Sequence, residues 1–250
     1  MITKKSRYEI SLMRTAGSIV AEALQTMREA ARPGISTAEL DEIAEKIIKK
    51  NNAIPSFKGY FGYPASICAS VNEQVVHGIP SPDVILKDGD IISIDVGATY
   101  KGLVGDSAIT VAIGTISDET KQLLEITNQA LYDAIEKMIS GNCLQDISGA
   151  IEDRGNMHGL GIVKQYGGHG IGKKMHEDPF VFNYRTGTPG AELKPGMVLA
   201  IEPMFNLGTG EVHTLSDQWT VVTNDGKFSA HFEHTVHVSD DGPDILTLLK

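Results

Sequence analysis

Three patterns in the sequence predict an α+β fold made of two related halves, with an antiparallel sheet inside and helices outside. Four stretches repeat apolar residues at helical spacing, short strand-like apolar runs follow each pair of them, and the order helix, helix, strands occurs twice. The 250 residues contain no Ser/Gly-rich linker, charge block or low-complexity tract, and 41% of them are apolar, enough for one packed core. One domain over 1–250 is therefore expected, with halves of about 1–115 and 116–250.

The first helix is read near 7–31, where Ile10, Met13, Ala16, Ile19, Val20, Ala23, Leu24 and Met27 form one face and Pro33-Gly34 stops the pattern. Ser36 and Glu39 make a capping box for a second helix, whose buried stripe is Leu40, Ile43, Ala44, Ile47 and Ile48. A Gly/Pro/aromatic loop over 54–64 precedes strands near 66–71, 91–99 and 103–113, the last two joined by a tight turn. Helices at about 118–139 and 143–157 then lead to strands near 160–165, 197–205, 218–223 and 230–238. The helix starts also align, since Gly34 through Leu40 and Gly141 through Ile147 each place an acid five positions, and an aliphatic residue six, beyond the glycine. The interval is too long for a solenoid, which favours a duplicated unit closing around one centre.

A net charge of −10 argues against binding to nucleic-acid backbones or anionic membranes, which requires clustered Lys and Arg. Cys68 and Cys143 form no Cys-x-x-Cys pair, so neither a disulfide framework nor a structural zinc cluster is expected. The opening residues lack the apolar segment of a signal peptide, and no apolar run approaches the ~20 residues needed to span a bilayer. The expected setting is the cytoplasm.

Several acids stand where strands should be buried. Asp95 lies inside Ile91-Ile92-Ser93-Ile94-Asp95-Val96-Gly97, where an unpaired charge is costly. If the next turn centres on Tyr100-Lys101, Asp95 faces Asp106 across the hairpin, and two like charges there call for a cation between them. Glu202 before Pro203, and Glu233 within Ala230–Val236, repeat the theme; Pro203 suggests that its strand lies at an edge or is leaving the sheet. His169 sits in Tyr166-Gly167-Gly168-His169-Gly170-Ile171-Gly172, where glycines let backbone approach a crowded centre. A phosphate loop is disfavoured there, because Lys174 takes the Ser/Thr position and Pro179 forbids the long helix. Four carboxylates and one imidazole suit Mn, Fe, Co or Zn, and carboxylates can bridge two such ions. His176-Glu177 continues as Asp178-Pro179, so there is no His-Glu-x-x-His zinc helix.

Taken together, Val71-Asn72-Glu73-Gln74-Val75-Val76-His77-Gly78-Ile79-Pro80, Ile94-Asp95-Val96-Gly97 with Asp106, Gly168–Gly172, Ile201-Glu202-Pro203-Met204 and Glu233-His234-Thr235 make the sequence resemble type I methionine aminopeptidases of bacterial form, in the pita-bread superfamily. The resemblance runs from end to end. It implies a pita-bread fold around a dinuclear centre in which Asp95 and Asp106 chelate and bridge, His169 binds one ion, Glu202 helps hold that ion, and Glu233 bridges both. It also implies catalytic roles for His77, His176 and Glu202, and a methionine pocket of Phe57, Tyr60, Tyr63, Cys68, Met175 and Trp219 beside His77 and His176. Aromatic faces and a thiol suit a thioether.

The implied reaction is removal of initiator methionine from nascent chains with a small second residue, by attack of a metal-bridging hydroxide on the first peptide bond. His176 would donate to the oxyanion, His77 would contact the scissile nitrogen, and Glu202 would shuttle the proton. The implied partners are nascent N-termini, with transient ribosome contact; a monomer is expected. The chain begins at the first helix and has a short interval between His176 and Glu202, which fits the bacterial type I form rather than the type II enzymes. Three residues depart from the family pattern: His231 where glutamine is usual, Ser107 where threonine is frequent, and Met175 where an aromatic is frequent. His231, two positions from Glu233, is expected on the same face. Rival readings are a proline-directed aminopeptidase or dipeptidase of the same superfamily and a catalytically silent binding module.

Overall fold

Ser6 and Ser36 start the first two helices by the same device. In α1 (Arg7–Ala30) the Ser6 hydroxyl accepts from Glu9 N while Glu9 Oε2 accepts from Ser6 N at 2.8 Å; in α2 (Thr37–Lys50) Ser36 and Glu39 repeat it at 2.8 Å. The computed structural model describes residues 2–249. Next come β1 (Ile54–Pro55), β2 (Ile67–Val71), β3 (Gln74–Val76), β4 (Ile91–Tyr100) and β5 (Leu103–Ala112). Helix α3 (Asp118–Ile135) stops before residue 139 because the chain tightens into i→i+3 turns at Lys137 and Met138. Helix α4 (Leu144–Met157) starts where Cys143 N donates to Asp146 Oδ2 at 2.7 Å.

The remaining strands are β6 (Gly161–Ile162), β7 (Gly168–Gly170), β8 (Glu177–Val181), β9 (Val198–Ile201), β10 (Met204–Asn206), β11 (Val212–Thr214), β12 (Val221–Thr223), β13 (Ser229–His231), β14 (Glu233–Ser239) and β15 (Gly242–Ile245). The strand expected over 197–205 is split: the chain leaves the main sheet at Glu202-Pro203, as Pro203 suggested, and β9 is an interior strand rather than an edge. The strand expected over 230–238 breaks likewise at Phe232.

The main antiparallel sheet runs β1-β4-β5-β14-β9-β7-β8, with β2 on β4 and β15 on β14; smaller sheets run β13-β10-β6 and β11-β12-β3. Ile92, Ile94, Val96 and Ala98 of β4 pack into one core with α1 and α2, whereas α3 and α4 close a second core over β9 and β14. Alternation along β4 thus turns Asp95 to the face that the helices leave free.

The hairpin register differs from expectation. Tyr100 pairs with Leu103, so the turn is Lys101-Gly102, with φ of 48° and 79°. A two-residue turn of type I′ needs positive φ at both central positions, and Gly102 adopts it freely whereas Tyr100 would not. The turn falls one residue later and the pairing moves by two: Asp95 lies opposite Ala108, and Asp106 opposite Gly97. A shift of two preserves the face of every side chain, so the two aspartates stay together as diagonal rather than direct neighbours.

Helix α1 crosses β5 where backbones meet. A Cβ on Gly105 would lie 2.7 Å from Gly17 N, and one on Gly17 would lie 2.2 Å from Leu246 O. Neither obstacle is a side chain that could swing aside. Gly105→Ala is therefore expected to lower stability by about 3 kcal/mol, the scale of overpacking a core, read as a shift in the urea unfolding midpoint.

Candidate active site

On the free face of the sheet opens a cavity of about 950 Å³. Sheet order brings its polar residues together: Asp95 on β4, Asp106 on β5, Glu233 opening β14, Glu202 just past β9 and His169 central in β7 come from five successive strands. Donor atoms of Asp106, His169 and Glu233 all lie within 4.8 Å of one another. His169 Nε2 is 3.6 Å from Glu202 Oε1, and His231 Nε2 is 3.7 Å from Glu202 Oε2.

Hydroxyls fix the strands beneath this cluster. Thr235 Oγ1 donates to Asp106 O at 2.7 Å and accepts from Asp106 N at 3.1 Å; Thr110 Oγ1 does the same for His231, at 2.8 and 2.9 Å. Glycines beside His169 admit its neighbours, since a Cβ on Gly168 would lie 2.2 Å from Ala200 O and one on Gly170 2.1 Å from Asp178 O. His169 Nδ1 is 2.9 Å from Gly170 O, a bond in which the nitrogen must be the donor, so Nε2 presents its lone pair to the cluster.

Burial pushes the carboxyl groups of Asp95, Glu202 and Glu233 well above the usual range, reinforced by their mutual repulsion, and raises Asp106 to about 7. Burial also holds His169 and His231 neutral, both lowered to about 3. Asp95 Oδ1, Asp106 Oδ1, Glu233 Oε1 and His231 Nε2 are buried without a hydrogen-bond partner. Orphaned carboxylate oxygens beside an imidazole lone pair are a donor set that fits divalent cations, which relieve the repulsion and fill the vacant acceptor positions together.

His77, at φ 61°, stands edge-on to Tyr166 and Trp219 with centroids 5.6 and 6.3 Å away, and burial lowers its pKa to about 4. His176 lies at the solvent-open mouth, its ring centroid 4.3 Å from that of His169. The apolar wall is Phe57, Tyr63, Cys68 and Met175, gathered in one cluster with Tyr60 and Trp219 against it. Cys68 reaches the wall because it pairs with Asp95 across β2–β4, on the same face. The Tyr63 hydroxyl lies 3.0 Å from Ile67 O and 2.9 Å from Gly78 O, so that ring is anchored. Gly97 keeps the floor open: a Cβ there would come within 2.7 Å of Met175 Cε and 2.9 Å of Phe57 Cε1.

The model of metallopeptidase family M24 matches residues 11–240. The chain belongs to metallopeptidase family M24. Among M24 relatives, it is 54% identical to the methionine aminopeptidase of Clostridium acetobutylicum over 250 residues, covering 100% of both chains. It is 53% identical to methionine aminopeptidase 1 of Bacillus subtilis, with 99% of each chain covered. The crystal structure of methionine aminopeptidase from Thermotoga maritima superposes with a TM-score of 0.97 at 43% identity, covering 99% of this chain and 100% of that one. Prolidase from Pyrococcus furiosus shares the fold at a TM-score of 0.80 and 23% identity, over 99% of this chain and 66% of its own. The M24 chain is thus a metal-dependent hydrolase with the pita-bread fold, and its cofactor is divalent metal. No helix among the described residues is long and apolar enough to cross a membrane.

All the candidate metal-ligating, catalytic and pocket residues of the M24 sequence line this one cavity: Asp95, Asp106, His169, Glu202, Glu233, His77, His176, Phe57, Tyr60, Tyr63, Cys68, Met175 and Trp219. His231 also lines the cavity despite the strand break at Phe232, with its Nε2 3.7 Å from Glu202 Oε2. Sequence reasoning missed Tyr166, Phe61 and Phe180 on the cavity wall, and the supporting hydroxyl of Thr235. Tyr166 stood beside the His169 glycines and could have been found from that position. It also passed over Glu177, whose Oε1 accepts from Lys173 N (2.8 Å) and Lys174 N (3.2 Å) and whose Oε2 accepts from Lys5 Nζ (2.8 Å) and Thr3 Oγ1 (2.6 Å). Nothing local marks the tie to Lys5 and Thr3, because those two partners come from the far end of the chain.

Proposed function

We propose that this chain is a methionine aminopeptidase of bacterial type I form, removing the initiator methionine from nascent proteins whose second residue is small. The observation that carries the reading is the cavity itself, where an orphaned carboxylate–imidazole cluster adjoins a wall of aromatic rings, a thiol and a thioether. Whole-length identity of 54% and 53% to proteins called methionine aminopeptidase supports it.

In this reading Asp95, Asp106, His169, Glu202 and Glu233 hold two divalent ions. When bound, such ions lower the pKa of a water toward neutrality and polarise a carbonyl oxygen. The chain's own residues do the rest. Phe57, Tyr63, Cys68, Met175 and Trp219 take the methionine side chain by burial and sulfur–aromatic contact. His176 donates a hydrogen bond to the carbonyl oxygen as it gains charge, and His77, neutral and held against Tyr166, contacts the scissile nitrogen. Glu202, whose carboxylate lies between His169 and His231, carries a proton to the leaving amine.

The same proposal takes 1–250 as one catalytic domain of two halves. Supporting it, Gly34 N donates to Leu86 O and Gly141 N to Leu193 O, and the bridges Ser36↔Ile85 and Cys143↔Glu192 follow at the starts of α2 and α4. Asp95 and Glu202 lie at equal distances along the chain from those starts. A cytoplasmic monomer that meets its substrates at the ribosome completes the reading.

Apoprotein reconstituted with Mn, Co, Fe or Zn and offered Met-Ala-Ser, Met-Lys-Ser and Ala-Pro-Ser tests it. Met-Ala-Ser is expected to be cleaved about 100-fold faster than Met-Lys-Ser, and Ala-Pro-Ser not at all. Cleavage of Ala-Pro-Ser alone, or inertness with every metal, overturns the reading.

A further inference from the structure

Tyr60 belongs to the aromatic wall by its ring but not by its hydroxyl, which lies 2.8 Å from His176 Nδ1. Burial raises the Tyr60 phenol above its usual value, so it keeps its proton at neutral pH. Of the two partners the phenol is the stronger acid and the imidazole nitrogen the stronger base, so the proton is donated from Tyr60 to Nδ1. A neutral imidazole has only one N–H, and an accepting Nδ1 places it on Nε2.

The two partners are also held where this bond requires them. Tyr60 opens a short turn, Tyr60–Gly62, with Gly59 at φ 88° before it and Phe61 packed edge-on at 4.7 Å. On the other side, Glu177 ties the backbone of Lys173 and Lys174 to Lys5 and Thr3, and the Lys5 and Glu177 side chains are only 6% and 12% exposed. The loop that carries His176 is thereby fixed at its neighbouring residue. What stays undetermined by the backbone is the ring's tautomer and rotation, and the polar contact on the ring is Tyr60.

We propose that Tyr60 is a positioning residue that fixes His176 in the Nε2–H tautomer, so that the proton His176 offers to a substrate carbonyl is always in place. This rests on the reading of His176 as the oxyanion donor. It separates Tyr60 from Phe57 and Met175, whose contribution is apolar contact with the methionine side chain.

Two measurements on the zinc-reconstituted enzyme test it. Two-bond proton–nitrogen NMR spectra should show His176 with a bare Nδ1 and a protonated Nε2, and Tyr60→Phe should give mixed tautomers. In kinetics with Met-Ala-Ser, Tyr60→Phe should lose about tenfold in kcat with KM within about twofold of wild type, and should cost nothing further in a His176→Ala background. An Nδ1–H tautomer in the wild type, an unchanged tautomer in Tyr60→Phe, a loss carried by KM, or losses that multiply in the double variant would each overturn the inference. Wild-type kcat in His176→Ala would instead sink the oxyanion role, and the tautomer spectra would still decide what Tyr60 does.

Discussion

Asp106→Asn should abolish metal binding and turnover together while leaving the fold intact. Asp106 shares donor range with both His169 and Glu233, and its Oδ1 is buried without a hydrogen-bond partner, so no neighbouring side chain already bonded there supplies the lost charge. Asparagine fills nearly the same volume, and the Thr235 hydroxyl still holds the backbone of residue 106 on both sides. Turnover is expected to fall at least about 1,000-fold, and calorimetric titration with Mn or Co should lose its high-affinity phase. The same change removes one of four mutually repelling carboxyls, so the metal-free variant should melt higher than metal-free wild type at pH 8. Wild-type metal affinity in this variant would remove Asp106 from the proposed ligand set.

Stripping the metals should reverse the usual dependence of stability on pH. Asp106 is raised to about 7 in the fold, against 3.8 for an exposed aspartate, and Asp95, Glu202 and Glu233 are raised further by burial and by one another. In the unfolded chain these groups lose protons near pH 4, whereas in the fold they keep them. The folded state therefore binds more protons, and linkage makes stability fall as pH rises. The contribution of Asp106 is fully present below pH 4 and lost as pH climbs through 7; the other three extend the decline above that. Chelator-treated protein should thus melt progressively lower from pH 5 to pH 8. Metal-loaded protein should hold or gain over the same range, because a cation needs the ionised carboxylates. Parallel melting curves for the two forms would mean that the cluster is not the cation site.

Most of the helices, and the residues that line the cavity, were legible in the sequence because both depend on local pattern. Ser36-x-x-Glu39 with its apolar stripe specifies a helix wherever it lies, and an acid such as Asp95 inside an apolar strand announces that something must neutralise it. The hairpin register was misjudged because it turned on which of two adjacent pairs takes positive φ, and Gly102 outweighed Tyr100. The error left the site recognisable only because side-chain direction repeats every two residues. Short strands such as β3, β7 and β8 went unread, since three to five residues carry too little periodicity, and β3 is paired by the distant β12. Thr235 under Asp106, Glu177 under His176 and Tyr60 against His176 were illegible for the same reason. Each depends on a contact between remote segments, for Glu177 the one with Lys5, with no spacing rule to betray it.

The order β4-β5-β14-β9-β7 has a mechanical meaning. β5 ends at residue 112 and β14 begins at residue 233, yet they are neighbours at the centre of the sheet, and Asp106 and Glu233 face the same cluster across that seam. If Asp106 and Glu233 hold ions as proposed, those ions would tie residue 106 to residue 233 and help to close the long loop between them, a closure that costs conformational entropy. A chain cut before β14 would lack at once both Glu233 and the strand that lies between β5 and β9.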